Sequence, residues 1–255
     1  MLRDSSRTKP EYCPVLMIMS TIAANLHDVD TTIAEACDAA GRGRASVQLL
    51  AVSKTFPPEA VLEAMQAGQR AFGENYVQEA LDKMEAVAQA APGVPVEWHF
   101  IGPIQSNKTR PIATHFAWVH TVDRLKVAQR LSEQRPPELG PLNICLQVNV
   151  SGEATKSGVS EDELPELARQ VANLPYLRLR GLMTIPEPET DPVRQRLPFA
   201  RLRQLAEALR EQGIDVDTLS MGMSGDLEAA VAEGATIVRV GSAIFGARNY
   251  DKVKP

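Results

Sequence analysis

Three places in this 255-residue chain combine residue types that chemistry can use. The first is Lys54, which closes the apolar run LLAVSK at 49–54. Side chains alternate along a strand, so Leu50, Val52 and Lys54 share one face. If that face lines a barrel, the ammonium group emerges from an apolar wall, where lost hydration disfavours the charged form and lowers its pKa. A neutral amine is what condensation with a carbonyl requires. A lysine that merely ends a strand and points to water fits the same segment. The second place is SMGMSGD at 220–226. Gly222 and Gly225 let the backbone approach a ligand, and Ser224 offers a hydroxyl beside a helix start. Asp226 can cap that helix. The third place is RVGSAIFG at 239–246, where Gly241 and Ser242 can present backbone N–H groups to an anion. Ordinary tight turns are the alternative for both glycine-serine segments. Arg239 stands between two valines in an apolar strand. A buried guanidinium needs an acceptor, and a phosphate, a ring nitrogen or a carboxylate would each serve.

These residues need elements that bring them together. Short apolar, β-branched stretches at 48–54, 70–75, 97–101, 118–122, 143–150, 178–184, 218–221 and 236–240 predict eight strands. Helical stretches at 58–67, 77–90, 107–115, 124–134, 161–173, 192–212 and 226–233 separate them; 107–115 is the weakest because Pro111 interrupts it. A further helix, capped by Ser20-Thr21 and running toward Ala40, precedes the first strand and is expected to plug or flank the barrel bottom. Strands alternating with helices predict parallel βαβ units. The count of eight, and no GxGxxG after the first strand, favour one (β/α)8 barrel of the TIM type over an open doubly wound sheet. Active sites of such barrels lie at the C-terminal ends of the strands, often with a phosphate held after strands seven and eight. Lys54, Glu74, Asn75, His99, Asn149, Thr184, Ser220 and Arg239 are the polar residues expected at those ends.

Composition excludes several classes. A net charge of −5 advertises no basic face for nucleic acid. Cys13, Cys37 and Cys145 are far apart and form no CxxC pair, which fits the reducing cytoplasm. The four histidines, His27, His99, His115 and His120, lack metal-ligand spacing and read as satisfied core or surface residues. No apolar run reaches the roughly 18 residues of a membrane helix. A polar extension over 1–18 is expected to be disordered, with the barrel over 19–250 and a tail over 251–255; Met17 and Met19 are alternative starts to Met1.

Six segments then recur in one order: LAVSKT at 50–55, FGENY at 72–76, HFIGPIQSNK at 99–108, GLMTIP at 181–186, LSMGMS at 219–224 and VRVGSAIFG at 238–246. Together they resemble the YggS/PROSC family of pyridoxal phosphate homeostasis proteins over most of the chain. The resemblance implies a fold-type-III barrel like the N-terminal domain of alanine racemase, with Lys54 as the Schiff-base lysine for pyridoxal 5'-phosphate. It implies that Ser224, Gly241 and Ser242 hold the phosphate, that Arg239 lies close to the cofactor, and that Asn75 and Met183 lie near the ring. The family pattern often has an acidic residue where Gly225 stands, a departure expected to loosen the start of the following helix. The implied role is buffering of the cofactor and its delivery to apoenzymes by a monomer, with no established catalysis. Two other readings share the site. A racemase needs a second base, and Tyr12, Tyr76, Tyr176 and Tyr250 supply no evident one. A sugar-phosphate barrel enzyme would use Lys54 on a carbonyl substrate.

Overall fold

Strands covered on both faces tend to be apolar along most of their length. The eight strands here are largely apolar, interrupted by polar residues such as Glu97, His99, Arg178 and Arg180, and close a parallel barrel in sequence order. The structure, a computed structural model, describes residues 21–151 and 157–247. The expected extension over 1–18, the capping Ser20 and the tail over 251–255 lie outside the described residues. The strands are β1 (Gln48–Val52), β2 (Ala71–Glu74), β3 (Glu97–Phe100), β4 (Trp118–Val122), β5 (Leu142–Gln147), β6 (Leu177–Met183), β7 (Thr218–Ser220) and β8 (Ile237–Val240). The helices are α1 (Thr21–Ala39), α2 (Pro58–Gln66), α3 (Val77–Ala90), α4 (Thr109–His115), α5 (Leu125–Gln134), α6 (Leu164–Ala172), α7 (Pro192–Glu211), α8 (Leu227–Ala232) and α9 (Ser242–Phe245). Most strands stop a residue or more before the expected end, because the chain turns outward at the barrel mouth.

Two differences from expectation have physical reasons. Pro111 does not break α4, because it sits in the first turn, where its missing N–H has no helical acceptor to lose. The leading helix takes the flanking one of its two expected places and does not plug the bottom. It packs against α2, α8 and α9 through Leu26, Val29, Ile33, Ala36 and Cys37. Among the described residues only the short α9 follows β8, and α1 covers the wall beside it.

Alternation divides the core into two layers. Leu49 and Ala51 face the helices, whereas Leu50 joins Ala71, Trp118, Cys145, Met183 and Ile237 inside the barrel. The same parity assigns Ser53 to the outer side of the wall and Lys54 to the inner side. In register, Leu50 pairs with Arg239 on β8, and Val52 pairs with Gly73 on β2.

Candidate functional site at the C-terminal end of the barrel

The seven residues of the expected cofactor site lie at or just below one end of the barrel. Lys54 follows β1 and Asn75 follows β2; Met183 ends β6; Arg239 lies within β8; Ser224 stands between β7 and α8; Gly241 and Ser242 follow β8. Lys54 and Asn75 are half-buried, Met183 and Arg239 are buried, and Ser224 and Ser242 are exposed. The loop after β7 and the turn after β8 meet at a recess of about 220 Å³, lined by Ser224, Gly225, Val240 and Ala243 and walled by Val29 and Thr32 of α1. A larger groove, about 620 Å³, opens at the opposite end, around Gln48, Arg70 and Arg44, away from these strand ends.

Backbone geometry explains the glycines. Gly222 has φ +93°, and a Cβ there would lie 2.6 Å from the Ala230 Cβ, so the loop folds onto α8 only with glycine. Its carbonyl accepts the Arg239 N–H at 2.9 Å, which ties the loop to β8. A Cβ on Gly241 would stand 3.1 Å from the Val52 carbonyl, so glycine lets this turn press against β1. Asp226 does not cap α8. Its carboxylate turns back to accept the Met223 N–H at 2.5 Å.

Arg239 is satisfied by neutral acceptors. It donates to Ser220 Oγ at 2.8 Å and to the Thr184 carbonyl at 2.9 Å. Burial lowers its pKa to about 10, which leaves it cationic at neutral pH. From Ser220 a file of hydrogen bonds runs down the barrel interior. Ser220 Oγ lies 2.7 Å from His120 Nδ1, His120 Nε2 lies 2.9 Å from His99 Nδ1, and His99 Nε2 lies 2.8 Å from Glu97 Oε1. Its polarity follows from the Glu97 end. The ionised Glu97 carboxylate can only accept, so each neutral histidine donates from Nε2 and accepts at Nδ1, and Ser220, which accepts from Arg239, gives its own hydrogen to His120. Both histidines then carry hydrogen on Nε2, and His99 donates to the Glu97 carboxylate. Burial keeps both imidazoles neutral by lowering their pKa values. The hydrogen bond from His99 holds the Glu97 carboxyl down to about 2. At the floor, Gln48 also donates to Glu97 at 3.0 Å. Trp118 stacks on His99 with centroids 5.5 Å apart, and the Arg180 guanidinium lies 4.8 Å from the Trp118 centroid. His99 thus belongs to the barrel interior, not to the mouth where the sequence suggested it. Cys145 shares this interior, and burial pushes its thiol up to about 12, so it is no nucleophile.

Glu74 is not at the mouth either. It is fully buried behind the wall, where its Oε1 accepts from Ser53 Oγ at 2.7 Å and from Lys83 Nζ at 2.6 Å. Burial raises its pKa against the pull of Lys83. The choice between a base and an ion-pair partner is therefore settled in favour of the pair. Near the strand ends, three buried oxygens have no hydrogen-bond partner: Thr55 Oγ1, Asn75 Oδ1 and the second carboxylate oxygen of Glu74, Oε2. Unpaired buried acceptors are costly. Asn75 Oδ1, beside the mouth, is what a site completed by a ligand donor would leave. Sequence reasoning placed His120 as a satisfied core or surface histidine, which it is in the core, and missed Glu97, Glu79 and Lys83. The available signals were polar residues at inward parity in apolar strands, and an i,i+4 Glu–Lys pair on α3.

A closed (β/α)8 barrel carrying a lysine after its first strand and anion-suited turns after its last two defines the class. The sequence model of the family described as alanine racemase, N-terminal domain, matches residues 25–249. The pyridoxal phosphate homeostasis protein of Pseudomonas aeruginosa is 63% identical over 91% of this chain and 98% of its own. That of Escherichia coli is 55% identical over 92% of this chain and 100% of its own. Among solved structures, PipY of Synechococcus elongatus with pyridoxal phosphate bound is 37% identical with TM-score 0.77, covering 88% of this chain and 100% of that one. An alanine racemase from Clostridium difficile, 14% identical with TM-score 0.71 over 92% of this chain and 58% of its own, shares the fold. The chain belongs to the alanine racemase N-terminal domain family and, within it, to the pyridoxal phosphate homeostasis proteins.

Proposed function

We propose that the chain binds pyridoxal phosphate, attaches it through Lys54, and serves its homeostasis by limiting free aldehyde and delivering the cofactor to apoenzymes in the cytoplasm, as a monomer. One observation carries this reading. A lysine on the inner parity of β1, a buried arginine on β8 and glycine-serine turns after β7 and β8 share one barrel end, in a chain 63% identical to a relative named for that role. The donor set suits a phosphorylated aromatic aldehyde. Ser224, Gly241 and Ser242 hold the phosphate. Met183 packs beside the ring, and Asn75 Oδ1 accepts a donor from it. Bound, the cofactor supplies an electrophilic aldehyde. Lys54, half-buried above Leu50 on the inner parity of the wall, supplies the amine. Arg239, kept cationic and pinned by Ser220 and Thr184, disfavours further positive charge on the ring, which weakens an electron sink and suits storage better than catalysis. Among the described residues no helix is long and apolar enough to cross a membrane.

The test loads the protein with pyridoxal phosphate and mixes it with the apo form of a pyridoxal phosphate enzyme beside a small-amine scavenger. Recovery of activity that free cofactor cannot match under the scavenger supports delivery. No recovery, or racemisation of added amino acids well above that of free cofactor, overturns the carrier reading.

A further inference from the structure

Thr55, the residue after Lys54, has φ +69°. A β-branched residue in the left-handed region is strained, and such strain persists only where surrounding contacts over-determine it. Those contacts are visible. The Thr55 N–H donates to Glu79 Oε1 at 2.6 Å. Lys83 Nζ donates to the same oxygen at 3.0 Å, to Glu74 Oε1 at 2.6 Å and to the Ser53 carbonyl at 2.8 Å. Ser53 Oγ donates to Glu74, the Ser53 N–H donates to the Gly73 carbonyl at 3.1 Å, and the Ser53 carbonyl accepts from the Phe56 N–H at 3.0 Å. Both neighbours of Lys54 are therefore gripped by one buried ionic cluster. Two of its members, Glu79 and Lys83, are presented by successive turns of α3. The cluster lies on the outer side of the wall, so it holds Ser53 and Thr55 from behind and leaves the mouth clear.

A plain structural salt bridge would fasten α3 to the barrel without bending Thr55. We propose that Lys83 and Glu79 are positioning residues for Lys54: the cluster they form with Glu74 holds Ser53 and Thr55 in a strained turn that aims the Lys54 amine into the barrel mouth. This rests on the reading of Lys54 as the attachment residue. Glu79 is the better lever, since it is partly exposed, at 28%, and alone carries the Thr55 tether.

The experiment compares wild type, Glu79→Ala and the conservative Glu79→Gln, which keeps an acceptor oxygen. First, cofactor-free protein is labelled with trace acetic anhydride across a pH series, and acetylation of the Lys54 peptide is read by mass spectrometry. Second, each protein is mixed with pyridoxal phosphate, desalted and assayed for retained cofactor. The proposal expects Glu79→Ala to shift the pH midpoint of Lys54 labelling and to retain cofactor more weakly, by up to about a hundredfold, the scale of a misplaced reacting group. It expects Glu79→Gln to restore much of both, with thermal unfolding of all three similar. An unchanged Lys54 labelling profile in Glu79→Ala overturns the proposal, whatever happens to stability. If wild type retains no cofactor, the attachment reading fails, and the labelling profile alone still decides whether the cluster positions Lys54.

Discussion

Acidification should expose the neutral state of the interior histidines. His99 and His120 are both fully buried, and both have pKa values lowered below the ordinary 6.5 by loss of hydration. The unfolded chain takes up a proton on each near pH 6.5, and the folded chain refuses it. Stability from this source is complete above pH 6.5 and is lost as pH falls below it. A histidine that stays neutral when folded contributes at most RT ln(1 + 10^(6.5 − pH)) to the loss, about 0.1 kcal/mol at pH 7.5 and about 1.4 kcal/mol at pH 5.5. The pair should therefore remove up to roughly 2.7 kcal/mol between these values. Glu97, whose folded value is about 2, adds its loss only below its ordinary value of 4.5. The assay is urea unfolding of cofactor-free protein at several pH values, for wild type and His120→Gln. The substitution breaks two buried hydrogen bonds and lowers stability at every pH. The informative quantity is the pH dependence, which should shrink by up to about 1.3 kcal/mol over the interval, one histidine's share. Other titrating groups, including Glu74, are common to both proteins and cancel. An unchanged pH dependence, or an interior imidazole titrating near 6.5 by NMR in the native state, would refute the neutral, one-directional file.

Three further outcomes follow from named contacts. Lys83→Met leaves the Glu74 carboxylate buried without its cation and should destabilise by about 3–5 kcal/mol in urea unfolding. Gly222→Ala should lower stability by about 1–3 kcal/mol for the positive φ, and by more for the contact with Ala230, in thermal unfolding. Ser224→Ala with Ser242→Ala should weaken retention of pyridoxal phosphate by roughly tenfold or more, since a hydrogen bond to a charged group contributes about 1.5–3 kcal/mol. Both serines are exposed, so cofactor-free thermal unfolding should stay unchanged.

Much of the barrel is legible in the sequence because its strands are short, β-branched and regularly punctuated. Lys54 and the two glycine-serine turns stand out for the same reason: each is a polar break at the end of an apolar run. Other features depend on register between distant segments. His99 and His120 come from neighbouring strands and meet only because β3 and β4 pair with His99 opposite Trp118. Nothing local distinguishes such a pair from two unrelated core histidines. Glu74 reads equally well as a strand-end base until the fold shows that its parity is opposite to that of Lys54. Thr55 carries no signal of its positive φ, since that conformation is imposed by Glu79 of α3. The helix α9 is too short, at four residues, to leave a period.

The central claim is that Lys54 attaches pyridoxal phosphate. Wild type and Lys54→Ala, each mixed with the cofactor and desalted, should differ in one respect above all. Wild type should keep the absorption band of lysine-bound cofactor, and the variant should lose it. A colourless wild type, or a band that survives in Lys54→Ala, would contradict the account.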